Sequence, residues 1–390
     1  MKGEYHMITT YDVFVPPTMG YGASKRVGID LAKAGHKKAF MVYDKGMWDF
    51  GIAQPIIENL KAAGMEVVTF DKVLPDPPDE MVEEAAEIAR NSGCDCIVGL
   101  GGGSSMDTAK GVNVLMKNPP PIRQYFGVRY DLQPGVPLIF IPTTAGTGSE
   151  TTNMCVISCV SQGNKASVVS AATIGTHCYL DPALTLGLPK GLTSATGLDA
   201  LAHCVESLTG GQQNPLSDVI GSEAIRLIHK YLPIAVADGK NKEARENLMY
   251  ASYFAGMTFT NALVHAGHAL AHTMGAHFHT PHGIACAIML PGVTEWTALN
   301  ESKKVRKVCE CMGVTIPEDA DYKEVGRIAK ETLRGFAKSV GNPSPKDLGI
   351  SLEDFLSIIP AAMNDTGLAL CPYRMTAADV KEIFIDAYDA

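Results

Sequence analysis

The chain has 390 residues, 46% of them hydrophobic and 19% charged, with a formal net charge of -9 at pH 7. That length exceeds what one hydrophobic core ordinarily serves, so two domains are expected. The acidic balance and the lack of any Lys/Arg run exclude a basic face for nucleic acid, and apolar runs such as Ile284 to Leu290 fall far short of the roughly 20 residues of a membrane span.

The N-terminal segment carries Glu4, Asp12 and the adjacent Pro16 and Pro17 in place of an apolar signal core. Cys94 and Cys96 lie in an apolar run, Cys204 lies in a helical pattern, and Cys309 and Cys311 lack a zinc-ribbon partner, so the ten cysteines read as buried thiols. A cytoplasmic, reducing setting is expected, with no membrane and no nucleic-acid partner.

In chain order, Lys37 to Asp44 reads as a buried strand and Gly51 to Gly64 as a helix closed by glycine. Met65 to Val73 reads as a strand, Pro77 to Gly93 as a helix with acidic residues in its first turn, and Cys94 to Leu100 as a third strand. Strands alternating with helices imply a parallel sheet with βαβ crossovers. The run GGGSSMDTAKGVNVLM (Gly101 to Met116) follows, with Ser104 expected to cap a helix starting near Ser105. Bare backbone N–H groups at a positive helix end make a phosphate cradle. Its glycine spacing is not the usual dinucleotide fingerprint, and it lacks the Lys-Ser/Thr of a P-loop. A plain strand-to-helix turn is the other reading, and Asp107 reads equally as a cap partner.

The next strand-like run, VPLIFIPTTAGTGSET (Val136 to Thr151), ends in Thr143, Thr144, Thr147 and Ser149 around Gly146 and Gly148. Hydroxyls and glycines beyond a strand's carboxyl end suit phosphate or ribose. Asp44, ending the first clear strand, is placed to accept the hydroxyls of an adenosine ribose, which favours NAD over NADP; an ordinary turn aspartate is the alternative. From about Leu188 helical periods dominate, which puts the boundary near Gly187 to Gly191 and the domains at 1–187 and 188–390.

Six of the eleven histidines fall in the stretch from His265 to His282, among Ala, Leu, Gly, Val and Met. His265, His268 and His272 are spaced i, i+3, i+7, one stripe of a helix, and Thr280, Pro281 and Gly283 then break the helix so that His282 returns to the same point. Imidazoles converging in an apolar wall suit Fe(II) or Zn(II); His277 and His279 read as bystanders. Upstream, Asp199 and His203 share a helix face at i, i+4.

Taken in order and spacing, GGGSSMDTAK, PTTAGTGSET, GLDALAHCVES and NALVHAGHALAHTMGAHFHTPHG resemble the iron-containing alcohol dehydrogenases over nearly the whole chain. The resemblance implies an N-terminal Rossmann-like α/β domain, an all-helical C-terminal domain, the architecture of dehydroquinate synthase, and a cleft for NAD(H) and Fe(II), alternatively Zn(II). It implies metal ligands Asp199, His203, His268 and His282, with His272 beside the nicotinamide. Gly101, Gly102, Gly103 and Ser104 would hold the pyrophosphate, Thr143, Thr144 and Thr147 would line the cofactor, and Lys165 would touch its ribose. Asp44 matches the position of NAD preference, and Asp107 joins His268 and His272 as a catalytic candidate and a cofactor contact. The implied reaction is hydride transfer between nicotinamide and a small primary alcohol or its aldehyde, in a homodimer or larger homo-oligomer. A dehydroquinate synthase-like or glycerol dehydrogenase-like enzyme would use three protein ligands, which the four-residue set disfavours, and a non-catalytic NAD- or metal-binding protein has no feature in its support.

The sequence departs from the family pattern at three places. His265 stands where relatives usually carry Gly, and is expected to project into the substrate pocket and favour a polar or anionic aldehyde, a packing change at a helix crossing being the other reading. Pro75-Asp76-Pro77 replaces Pro-Asn-Pro, and Gly292 replaces a histidine. These bear on substrate class and leave the metal and cofactor positions intact.

Overall fold

The computed structural model describes residue 11 and residues 15–162, 164–212 and 214–388. Glu4 and Asp12, part of the reading of the N-terminal segment, lie outside them. Among the described residues nine strands lie between Pro17 and Leu180: β1 (Pro17–Met19), β2 (Lys38–Val42), β3 (Glu66–Phe70), β4 (Cys96–Gly101), β5 (Gly127–Val128), β6 (Leu138–Pro142), β7 (Met154–Cys159), β8 (Asn164–Val169) and β9 (His177–Leu180). Five helices accompany them: α1 (Val27–Lys33), α2 (Lys45–Asp49), α3 (Ala53–Ala62), α4 (Asp79–Ser92) and α5 (Gly103–Leu115).

Six strands form one parallel sheet in the order β1-β9-β6-β4-β2-β3. The central strands read as continuous apolar runs because both faces are covered. Phe40, Val42, Ile97 and Phe140 enter one core, shared with α4 and α5, while Ala39, Met41, Val98 and Ile139 enter the other, shared with α1 and α3. Adjacent β2, β4 and β6 therefore deliver Asp44, the Gly101 turn and the Thr143 turn to one edge. Chain connections from β2 and β4 leave in opposite directions there, which opens a crevice.

A second sheet, β5-β8-β7, with β7 and β8 antiparallel, lies against α5 and was not read from the sequence. The alternation in β7 is real, Cys155, Ile157 and Cys159 pointing inward, but Ser158 dilutes it, and β5, which pairs with β8 at the far edge of the sheet, is two residues long.

From Lys190 the described chain is helical: α6 (Lys190–Thr209), α7 (Pro215–Ala237), α8 (Lys242–Ala262), α9 (Ala266–Phe278), α10 (His282–Cys311), α11 (Tyr322–Ser339), α12 (Leu352–Ser357), α13 (Ile359–Ala362) and α14 (Ala377–Tyr388). α6 is buried along most of its length, packed by α7, α8 and α10, so its polar residues must find partners inside the protein. α8 ties the two halves together: Met249 and Tyr253 enter the core of the sheet, and the Tyr253 hydroxyl donates to the Val15 carbonyl at 2.7 Å.

Candidate metal and cofactor site

Asp199 and His203 lie one turn apart on the buried face of α6. The second carrier, α9, starts at Ala266 and stops at His279, whose φ of 53° is left-handed; Pro281 then caps α10, with His282 as its first residue. Gly283 lets this return pass close to α6, since a Cβ there would stand 2.0 Å from the Ala195 carbonyl oxygen. The chain reversal thus sets His282 Nε2 3.4 Å from Asp199 Oδ1, with His268 Nε2 at 3.8 Å from the same oxygen.

Donor atoms of Asp199, His268, His282 and Cys286 all lie within 4.8 Å of one another. His203 is not in that set. Its ring stacks between His268, at 4.6 Å between centroids, and Phe259, at 4.2 Å, and it bonds the Gly146 backbone. Asp199 Oδ1, His203 Nδ1 and His268 Nε2 are buried with no hydrogen-bond partner. Burial pushes the Asp199 carboxyl up to about 6 and drives His203 and His282 well below the ordinary imidazole range. Burial opposes charge on His268 too, but Cys286 and Glu206 beside it outweigh that and raise it.

Glu206 was missed in the sequence, although it continues the Asp199–His203 stripe at i+7. It bonds His268 Nδ1 and accepts from the amides of His265 (3.1 Å), Gly267 (2.6 Å) and His268 (3.1 Å), the unpaired N–H groups that open α9. Fixing Nδ1 leaves His268 Nε2 to face the other donors. Burial alone would raise the Glu206 carboxyl, but His268 and these amides hold it at about 2.

His265 does not share the helical stripe of His268. It stands before α9 with φ -139° and ψ -122°, its ring 1% exposed and its Nε2 3.1 Å from Thr209 Oγ1. The expected projection into a substrate pocket is therefore corrected: Thr209 and the neighbouring Glu206 draw the ring into the helix packing. Gly292 likewise faces α14, where a Cβ would meet Ile383 at 3.1 Å. His272 is 48% exposed at the rim, stacked on His282 at 5.5 Å, with Nδ1 3.2 Å from Asp365 Oδ2. His277 and His279 are exposed, away from the donors.

The crevice at the strand ends is a cleft of about 1240 Å³. Asp44, Gly102, Gly103, Ser104, Thr143 and Thr144 line it, whereas Gly101, Asp107, Thr147, Lys165 and His272 are not on its wall. Phe50, Val73, Leu74, Leu188 and Leu192 line its apolar sides; three separate segments supply them, so no motif could have announced them. Asp44 lines the cleft, and its Oδ1 caps α2 by accepting from the Gly46 amide at 2.8 Å, as a turn aspartate does. The helix after β4 begins at Gly103 with Gly102 as its cap, so Ser104 is its second residue and not its cap. The glycine turn packs on the threonine turn, a Cβ at Gly103 meeting Thr147 Cγ2 at 3.1 Å.

Asp107 does not reach the cleft. Its carboxylate accepts from Ser149 Oγ at 2.7 Å and from the Val156 amide at 3.1 Å, with Lys110 Nζ at 3.8 Å. Its assignment as a catalytic and cofactor residue is corrected to one of holding the threonine turn. Lys165 pairs with Asp76 at 2.6 Å; Asp76 has φ 51°, a left-handed conformation that Asn and Asp tolerate best.

Behind that turn Glu150 is buried, and burial raises its carboxyl from the ordinary 4.5 to about 7. The folded state thus keeps the proton to higher pH than the unfolded chain, so stability is full below 4.5 and falls as pH rises through about 7. Glu150→Gln has no proton to lose. Its melting curve should match the parent near pH 5 and show about 1–3 kcal/mol greater stability at pH 8; equal pH dependence of the two melting temperatures would refute this.

Two family models cover nearly all of this geometry. Residues 17–182 match the iron-containing alcohol dehydrogenase model, and residues 193–388 match the C-terminal model of the Fe-containing alcohol dehydrogenase family. The chain belongs to the iron-containing alcohol dehydrogenase family. Among its relatives in the family, the NAD-dependent methanol dehydrogenase of Bacillus methanolicus is 34% identical over 96% of this chain and 99% of its own. The 1,3-propanediol dehydrogenase of Citrobacter freundii is 35% identical over 97% and 99%. The solved alcohol dehydrogenase from Oenococcus oeni superposes with a TM-score of 0.92 at 33% identity, covering 97% of this chain and all of that one. Iron-containing alcohol dehydrogenases share both the parallel-sheet half and the helical half seen here, and the histidine stretch lies wholly within the C-terminal match.

Proposed function

We propose that this chain interconverts a small, uncharged primary alcohol and its aldehyde, using NAD(H) and a divalent metal, Fe(II) or Zn(II). The observation that carries the reading is the convergence of Asp199, His268 and His282, in which Asp199 Oδ1 and His268 Nε2 are buried without hydrogen-bond partners, inside the C-terminal match to the Fe-containing alcohol dehydrogenase family. One carboxylate and several imidazoles in an apolar wall fit a borderline transition metal. Asp199, His203, His268 and His282 would hold it, in a helical domain spanning 188–390.

When bound, the metal supplies Lewis acidity at the substrate oxygen and the nicotinamide supplies the hydride. The remaining work falls to side chains. Gly102, Gly103 and Ser104 present helix-end amides to a pyrophosphate, Asp44 offers a carboxylate to the ribose, Thr143, Thr144 and Thr147 shape the turn, and Phe50 and Leu74 give the cleft apolar sides. Lys165 joins the ribose only by leaving Asp76. Glu206 orients His268, and Phe259 shields the rings from water. His272, held at Nδ1 by Asp365 and stacked on His282 at the exposed rim, moves the proton between the site and solvent.

Two relatives are named for methanol and 1,3-propanediol, and with His265 packed away the ground for an anionic substrate is gone. The domain for NAD(H) is 1–187. All ten cysteines are free and nine are buried, which supports a reducing, cytoplasmic setting; no described helix is long and apolar enough to cross a membrane. A homodimer or larger homo-oligomer is the assembly we propose.

The test is anaerobic loading with Fe(II) or Zn(II), followed by NADH oxidation against short neutral aldehydes and their sulfonated counterparts. Turnover that a chelator abolishes, with kcat/KM at least about tenfold higher for the neutral series, is expected. A folded, metal-loaded protein that oxidises no NADH would sink the dehydrogenase reading; preference for the sulfonated series would sink the substrate class alone.

A further inference from the structure

One donor at the site is a sulfur that the family's ligand set does not include. Cys286 lies one turn after His282 on α10, so both side chains leave the same helix face. Its Sγ is 3.6 Å from His282 Nε2, fully buried, and within 4.8 Å of the donors of Asp199 and His268 as well. These distances have a meaning. Metal–nitrogen and metal–oxygen bonds of about 2.1 Å and a metal–sulfur bond of about 2.3 Å, at tetrahedral angles, hold nitrogen and sulfur about 3.6 Å apart and nitrogen and oxygen about 3.4 Å apart. The Cys286–His282 and Asp199–His282 separations, 3.6 and 3.4 Å, match both. Two other atoms of the cluster, Asp199 Oδ1 and His268 Nε2, are buried and lack a hydrogen-bond partner.

We propose that Cys286 is a metal ligand, its thiolate sharing the cation with Asp199, His268 and His282 and taking the fourth place that the family's ligand set gives to His203, whose donors lie outside this cluster. This rests on the metal-dependent reading above. On binding, the Sγ–H bond breaks, its proton passes to solvent, and the sulfur lone pair forms the metal–sulfur bond, with no change of oxidation state. A sulfur donor tilts the centre towards thiophilic metals such as Zn(II) and Fe(II) and away from Mg(II) and Mn(II).

The experiment is an anaerobic Co(II) titration of the full metal-free chain and of Cys286→Ser, read by metal analysis and absorption. One Co(II) per chain with a near-ultraviolet sulfur-to-cobalt charge-transfer band is expected in the parent. In Cys286→Ser the band should vanish while Co(II) still binds, about tenfold or more weakly. Stoichiometric Co(II) without the band, or a band that survives in the variant and so belongs to another thiol, would overturn the assignment and leave the metal site standing. Failure to bind Co(II) at all would overturn the metal-dependent reading with it.

Discussion

Glu206→Ala is expected to cost about 3–5 kcal/mol of stability and most of the metal affinity, because it removes the carboxylate bonded to a buried imidazole. Glu206 bonds His268 Nδ1 and takes the amides of His265, Gly267 and His268. With the carboxylate gone, His268 is free to rotate, and three N–H groups at the start of α9 lose their acceptor inside the protein. Glu206→Gln separates the two effects. The amide oxygen still accepts from the α9 backbone, so most of the stability should return, while the charge that fixes His268 does not. Metal affinity should therefore remain about 10–100-fold below the parent, as it does when a ligand's orienting partner is removed. Thermal melting of the metal-free proteins and competition with a chromophoric chelator measure the two quantities separately. Parent-like metal affinity in Glu206→Gln would show that His268 needs no orienting carboxylate.

The second large effect is expected at Lys110, whose side chain is fully buried. Its Nζ donates to the Ser149 carbonyl at 2.7 Å, Ser149 Oγ at 3.1 Å, Thr152 Oγ1 at 2.7 Å and the Met154 carbonyl at 2.7 Å. Burial lowers the affinity of this amine for its proton, and nearby Asp107 works against that. One ammonium thus ties the threonine turn and β7 to α5, whose N-terminus carries the glycine cradle. Lys110→Met keeps the length and removes the charge. It leaves Asp107 buried without its cation and the acceptors unfilled, at a cost of about 3 kcal/mol. The turn that carries Thr143 to Thr147 loses its anchor, so NAD(H) binding should weaken by about tenfold or more while the stoichiometry of metal binding is unchanged. Calorimetry with NAD and metal analysis of the same sample decide this; equal NAD affinity in parent and variant would show that the turn holds its shape without the lysine.

The sequence by itself determined the sheet-then-helix order, the two turns at the strand ends, and the elements that carry Asp199, His268 and His282. All of these follow from local spacing: apolar runs for buried strands, glycine where the backbone must turn, and i, i+4 or i, i+3 steps that put polar residues on one helix face. Glu206, which extends the Asp199–His203 stripe, and Cys286, four residues after His282, were also within reach of that rule, but a thiol or carboxylate on a buried helix has many uses and spacing does not choose among them.

Only the tertiary structure decided which faces meet. Asp365 comes from a distant segment to hold His272, Asp76 takes Lys165 from the cleft, and Asp107 with Lys110 turns inward to build the threonine turn. His265 falls one residue before α9 and so points at Thr209 and away from the line of His268. Periodicity specifies the face of a helix once its first residue is known; where that helix starts, and what a buried donor finds beside it, depends on packing between segments far apart in the chain.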